Sequence, residues 1–140
     1  MAGLHILIEK LLQDYQKLLK EELKKSGREL TPVQYKILYE VFFHEGLSIK
    51  ECAARLATDL TTFSRQVQSL EKSGLMKRQT NKSDKRIVQL YLTANGTDTV
   101  DRMTVNINDR LIEKLSDLND FEEETIVRSI AHLSKKMRVT

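Results

Sequence analysis

Thr58-Asp59-Leu60-Thr61-Thr62-Phe63-Ser64-Arg65-Gln66-Val67-Gln68-Ser69-Leu70-Glu71-Lys72-Ser73-Gly74 is the stretch on which the reading of this 140-residue chain turns. Leu60, Phe63, Val67 and Leu70 recur at helical spacing and make one apolar stripe. The opposite side of that helix carries Thr61, Thr62, Arg65, Gln68, Ser69 and Lys72, with Glu71 as its lone acid. Such a face suits phosphates and base edges, because arginine, glutamine, serine and threonine all reach them with hydrogen-bonding groups. Asp59 is the expected N-cap, favoured by the helix dipole. Gly74 is the expected stop.

Upstream, two helix starts are spelled out. In Leu30-Thr31-Pro32-Val33-Gln34-Tyr35, Thr31 caps, Pro32 takes the first helical position and Gln34 closes a capping box. Leu30 and Tyr35 form the matching hydrophobic staple. In Leu47-Ser48-Ile49-Lys50-Glu51-Cys52, Ser48 caps, Glu51 closes the box, and Leu47 packs on Cys52. The first helix should reach about residue 43 and the second about residue 56. The turn Ala57-Thr58-Asp59 then leads into the quoted helix. A short helix, a tight turn and a second helix with a polar outer face read as a helix-turn-helix, although the turn has no glycine.

Downstream the periodicity changes from helical to alternating. Residues 75–79 and 87–92 read as two strands, the second rich in β-branched residues. Between them lies the charged tip Thr80-Asn81-Lys82-Ser83-Asp84-Lys85, so the pair forms a two-stranded wing. Long amphipathic helices are expected on either side of this unit. Residues 4–25 carry a wide leucine-rich stripe that ends at Ser26-Gly27. Residues 94–115, capped by Thr93, carry Val100, Met103, Ile107, Leu111 and Leu115. A last helix starts at Asn119, with Glu122 closing its box, and is lined by Ile126, Val127, Ile130, Leu133 and Met137. The fold class is therefore mainly α with a small β wing.

Charge distribution agrees with a polyanion-binding centre. Between Ser48 and Thr93 stand nine bases (Lys50, Arg55, Arg65, Lys72, Lys77, Arg78, Lys82, Lys85 and Arg86) against four acids, within a net charge of +3. The flanks are near neutral. The apolar runs are too short for a membrane span, and Met1-Ala2-Gly3-Leu4-His5-Ile6 lacks the features of a signal peptide, so a cytoplasmic location is expected. The lone Cys52 excludes an intramolecular disulfide and fits a reducing compartment. His5, His44 and His132 have no metal-ligand spacing, and no phosphate loop, catalytic dyad or nucleophile elbow is present. Neither a metal, a cofactor nor an enzymatic activity is expected.

With these residues in place, the chain resembles the MarR family of bacterial winged helix-turn-helix transcription regulators. The wing run Asp84-Lys85-Arg86-Ile87-Val88-Gln89-Leu90-Tyr91-Leu92-Thr93-Ala94-Asn95-Gly96 resembles the family's D-x-R followed by L-T-x-x-G. Leu70-Glu71-Lys72-Ser73-Gly74-Leu75-Met76-Lys77-Arg78 resembles its L-E-x-x-G-L-V-x-R, and residues 30–35 resemble the opening of its second helix. The resemblance implies a single domain over 1–140, with 29–93 as the DNA-binding region and 1–28 and 94–140 as a helical dimerisation region. It implies a homodimer on double-stranded DNA, and a repressor released by a small anionic or phenolic effector. Thr62, Ser64 and Arg65 would meet the major groove, and Thr61 and Gln68 on the same outer face are further DNA-binding candidates. Arg86 would enter the minor groove, held by Asp84, with Arg78 and Lys82 near the backbone; Lys85 at the tip is a further DNA-binding candidate.

Two other readings of the same residues stand beside that one. Some family members sense oxidants through one cysteine, which makes Cys52 an alternative sensor; a buried core position is its other role. The winged helix could also serve protein contact without DNA. Tyr15, Tyr35, Tyr39, Phe42 and Phe43 could line an effector pocket or simply pack the core.

Overall fold

Three helix starts are specified by capping boxes, and all three form. Thr31, Ser48 and Asn119 each accept a backbone N–H from the third helical residue, and Gln34, Glu51 and Glu122 each reach back to the cap's own N–H. In the computed structural model, which describes residues 3–27 and 29–138, the order of elements is α1 (Leu4–Lys25), α2 (Pro32–Phe43), α3 (Ile49–Arg55), α4 (Leu60–Lys72), β1 (Met76–Thr80), β2 (Val88–Leu92), α5 (Ala94–Lys114) and α6 (Asp120–Met137). This is the expected mainly helical fold with a small sheet. The chain divides into two compact units, 1–107 and 108–140, and α5 contributes to both.

Unit one holds two apolar clusters. The larger joins Leu38 and Val41 of α2, Cys52 of α3, Phe63, Val67 and Leu70 of α4, and the buried residues of both strands. The smaller joins Leu18, Leu19 and Leu23 of α1 to Tyr35 of α2 and to Met103 and Ile107 of α5. Leu30 packs against both clusters, as its staple position requires. The Tyr35 hydroxyl lies 3.2 Å from Thr104 Oγ1, which ties α2 to α5.

The wing is an antiparallel hairpin in which Met76 pairs with Leu92 and Thr80 with Val88. Thr80, expected in the tip, is the last residue of β1 instead. The hairpin is anchored at its base and along one long edge. At its base, Thr93 N–H donates to the Leu75 carbonyl at 3.2 Å, and Thr93 Oγ1 donates to the Gly74 carbonyl at 2.7 Å. Along β2, Leu90 N–H donates to Leu47 O and Gly46 N–H donates to Leu90 O, with a bridge from Ser48 to Gln89. That extra edge carries no strand pattern in the sequence, because only five residues separate the two helices there.

Two backbone positions show what the packing demands. A Cβ on Gly96 would sit 2.0 Å from the Leu75 carbonyl oxygen, so the first turn of α5 rests directly on the backbone that leaves α4. In the helix-turn-helix, Ala57 takes φ +50°, the left-handed conformation that glycine would occupy without cost. The missing glycine is therefore a strained alanine.

Several residues of the expected apolar stripes are exposed. Leu60, placed in the apolar stripe of α4, is 45% exposed, because its position one turn before Ser64 projects beyond the cluster that takes Phe63 and Val67. On α1, Leu7 and Leu11 are 65% and 60% exposed, and only the C-terminal leucines are buried. Of the α5 stripe, Val100, Met103 and Ile107 are buried, whereas Leu111 is exposed and Leu115 half-buried. In unit two, α6 buries no residue, and Val127, Ile130, Leu133 and Met137 are exposed.

Gly96→Ala is expected to lower unfolding free energy by about 3 kcal/mol or more, the upper range for overpacking, since backbone must move to admit the methyl. Ala57→Gly should raise it by up to about 1 kcal/mol, as relief of left-handed strain outweighs the added chain entropy. Urea denaturation of both variants gives the two signs.

Candidate nucleic-acid interface

The Asp59 carboxylate caps α4 by accepting the Thr62 N–H at 2.9 Å, and this bond is the main cause of its lowered pKa. With Phe63, Val67 and Leu70 fully buried, the helix can present only one side outward. That side carries Thr61, Thr62, Arg65, Gln68 and Lys72, all exposed, with Ser64 half-buried on the flank toward the wing. Ser69 sits on the opposite flank, where its Oγ accepts from Gln34 Nε2 at 3.2 Å. The capping glutamine of α2 thus also steadies α4.

The tip of the wing is built by two short carboxyl and amide turns. Asn81 Oδ1 accepts the N–H groups of Ser83 and Asp84 at 2.8 and 3.0 Å. Asp84 Oδ1 then accepts both the backbone N–H and the Nε of Arg86 at 3.0 Å, while Oδ2 accepts its Nη2 at 3.0 Å. The guanidinium is held by a two-point grip, yet its side chain remains 90% exposed. The Arg86 guanidinium and then its backbone N–H lower the Asp84 pKa, and the carboxylate in turn raises that of Arg86. An exposed cation is presented in one orientation, with much of its rotamer freedom already spent.

Between the wing and the helix-turn-helix lies an open groove of about 410 Å³, lined by Ser48, Ile49, Lys50, Leu60, Ser64, Asp84, Arg86, Ile87 and Val88. The groove therefore joins Ser64, Asp84 and Arg86, three of the expected site residues. Thr61, Thr62, Arg65 and Gln68 lie on the adjoining outer face, and Lys82 and Lys85 are exposed at the tip. Arg78 differs from these: its Nε is 2.7 Å from Glu71 Oε1. Sequence reasoning missed Ser48, Lys50, Leu60 and Ile87 as neighbours of this groove. Lys50 was visible in the charge count, but only the fold brings α3 beside the wing.

The remaining candidates separate cleanly. Cys52 is fully buried, and burial first, then the Glu40 charge, pushes its thiol up to about 11. A buried thiol kept protonated at neutral pH matches the core role. Tyr35 is buried, whereas Tyr39 and Phe43 are exposed and continue a ladder of rings along α2 with centroid separations of 6.1 and 4.7 Å. His44 Nε2 lies 2.9 Å from Arg55 Nη2, and Arg55 Nε pairs with Glu40 at 2.5 Å, which staples α2 to α3. Among the described residues no group of histidine, cysteine and acid side chains could hold a metal ion. No helix among them is long and apolar enough to cross a membrane.

A capped helix pair, an outward polar helix and a hairpin bearing an exposed arginine define a winged helix-turn-helix protein. Comparison with known proteins narrows this class. The sequence profile of the MarR family matches residues 30–88. The transcriptional repressor MdtR of Bacillus subtilis is 26% identical over 137 residues, covering 98% of this chain and 84% of MdtR. The transcriptional regulator TtmR of Methylorubrum extorquens is 38% identical over 71 residues, which is 51% of this chain and 36% of TtmR. A mutant MarR from E. coli, crystallised in complex with operator DNA, superposes with a TM-score of 0.78 at 26% identity, covering 98% of this chain and 94% of that one. Together these likenesses support a regulator of the MarR family.

Because the folded-state pKa of Asp84 is depressed, its grip on Arg86 is complete above the ordinary carboxylate range and is lost as pH falls through the lowered value. Carbon-detected NMR should find Asp84 titrating below a free aspartate, and Arg86→Ala should move it back up.

Proposed function

We propose that this regulator binds duplex DNA as a homodimer on an inverted repeat and represses transcription until a small effector releases it. The observation that carries the reading is the two-point Asp84 grip on a 90% exposed arginine. A folded protein has little reason to immobilise a surface cation unless the cation has a partner outside the chain. The narrow minor groove of DNA, with its concentrated negative potential, is such a partner. The neighbouring α4 face supplies donors and acceptors for the major groove through Thr61, Thr62, Ser64, Arg65 and Gln68. Lys82 and Lys85 at the tip are placed in this reading on phosphates. The operator complex formed by the E. coli relative supports the same mode of action.

The dimer is supported by the exposed apolar residues of α1 and α6, which a single chain leaves uncovered. These helices, with α5, form the dimerisation region in this reading, and 29–93 form the DNA-binding region. The Bacillus subtilis relative MdtR is a transcriptional repressor, which supports repression as the role here. An effector of anionic or phenolic type follows from the family resemblance, and the exposed rings of Tyr39 and Phe43 offer it apolar contact. The working compartment is the cytoplasm, where the DNA is.

Arg65→Ala and Arg86→Ala should each weaken binding to a selected operator by about tenfold or more at fixed salt, with the dimer intact. Fluorescence anisotropy with parallel sedimentation separates the two effects. Wild-type affinity should fall steeply with salt, by about 0.9 in log–log slope for each phosphate neutralised. Unchanged binding by both variants would remove the assignment.

A further inference from the structure

Only residues 73–75 join α4 to β1. A joint that short fixes where the wing begins, but it leaves the swing of the wing to contacts farther out. One ion pair spans the joint. Arg78 Nε is 2.7 Å from Glu71 Oε1, and that oxygen is shut off from solvent. In the hairpin register Arg78 stands opposite Leu90, so it shares the face of the sheet that carries buried Met76 and Leu92. Its side chain is 39% exposed, against 90% for Arg86. Glu71 lies seven residues after Ser64, on the flank of α4 that borders the wing.

We propose that Arg78 is a positioning residue, which locks the root of the wing to α4 through Glu71 and makes no phosphate contact of its own. The inference rests on the DNA-binding reading and refines it. With the pair intact, Arg65 on α4 and Arg86 on the wing keep one separation and can meet adjacent grooves together. Removing either partner leaves a charge without its counter-ion and loosens the root of the wing on the β1 side, since the 46–48 hydrogen bonds hold only β2. Ordering it again on DNA then costs entropy. The pair has a second consequence. Glu71 is the single acid of α4, and Arg78 cancels a charge that would otherwise repel the approaching phosphates.

The test compares Glu71→Gln, Arg78→Gln and the double variant in two measurements. In the free protein, amide hydrogen exchange across 76–80 and 88–92 should quicken in each single variant, and the double should be no faster than either single. On a duplex selected from random sequence, or a random 30-base-pair duplex at low salt, each single should lose roughly three- to tenfold in affinity. The salt slope of each should stay at the wild-type value, whereas a lost phosphate contact would flatten it by about 0.9. A flattened slope for Arg78→Gln with undiminished binding by Glu71→Gln would overturn the proposal. So would unchanged exchange in both singles. If wild-type protein binds no duplex, the DNA reading fails, and the exchange measurement alone decides the role of the pair.

Discussion

The wing and α4 act as one body because their backbones meet at a single junction. The Leu75 carbonyl accepts the Thr93 N–H, the Gly74 carbonyl accepts the Thr93 hydroxyl, and Gly96 lets α5 settle onto the same peptide. β1 begins and β2 ends at this point, so the hairpin is closed where the recognition helix stops. Thr93 also caps α5, with its Oγ1 accepting the Gly96 N–H at 3.0 Å. One threonine therefore fixes three things: the end of the wing, its distance from α4 and the start of the next helix. A side chain at residue 96 would push these apart, which gives the L-T-x-x-G run a steric reason.

From that junction the functional geometry follows in two arms. Along α4, complete burial of Phe63, Val67 and Leu70 turns Arg65 and Gln68 outward. Along the wing, hydrogen bonds from the 46–48 segment hold β2 to the helix-turn-helix, while Asn81 and Asp84 shape the tip. In the proposed function both arms end in an arginine, one for each groove. The difference between them is instructive. Arg65 is oriented by the helix that carries it, whereas Arg86 stands on a loop and needs Asp84 to limit its freedom. The charge lost to that grip is repaid in preorganisation.

Much of this was legible in the sequence, because it is written in short-range chemistry. Capping boxes act over four residues, and all three formed where Thr31, Ser48 and Asn119 announced them. The wing strands fell within one residue of their expected ends. What escaped was set by tertiary contact. Leu60 obeyed the helical period, but the core ends before its side chain, so it borders a groove. The bridge from Ser48 to Gln89 has no periodic signal at all. Ala57 gives no hint of its left-handed backbone, since the turn normally advertises itself with glycine. The α6 stripe was read correctly as apolar, but periodicity says nothing about what covers it.

The central claim is that α4 and the wing meet DNA together, one in each groove, and twice per dimer. Hydroxyl-radical and methylation footprinting on a selected operator tests it directly. The account predicts two major-groove protections roughly 34–36 Å apart, each flanked on its outer side by a minor-groove protection that disappears in Arg86→Ala. A single protected patch, or minor-groove protection that survives the substitution, would contradict it.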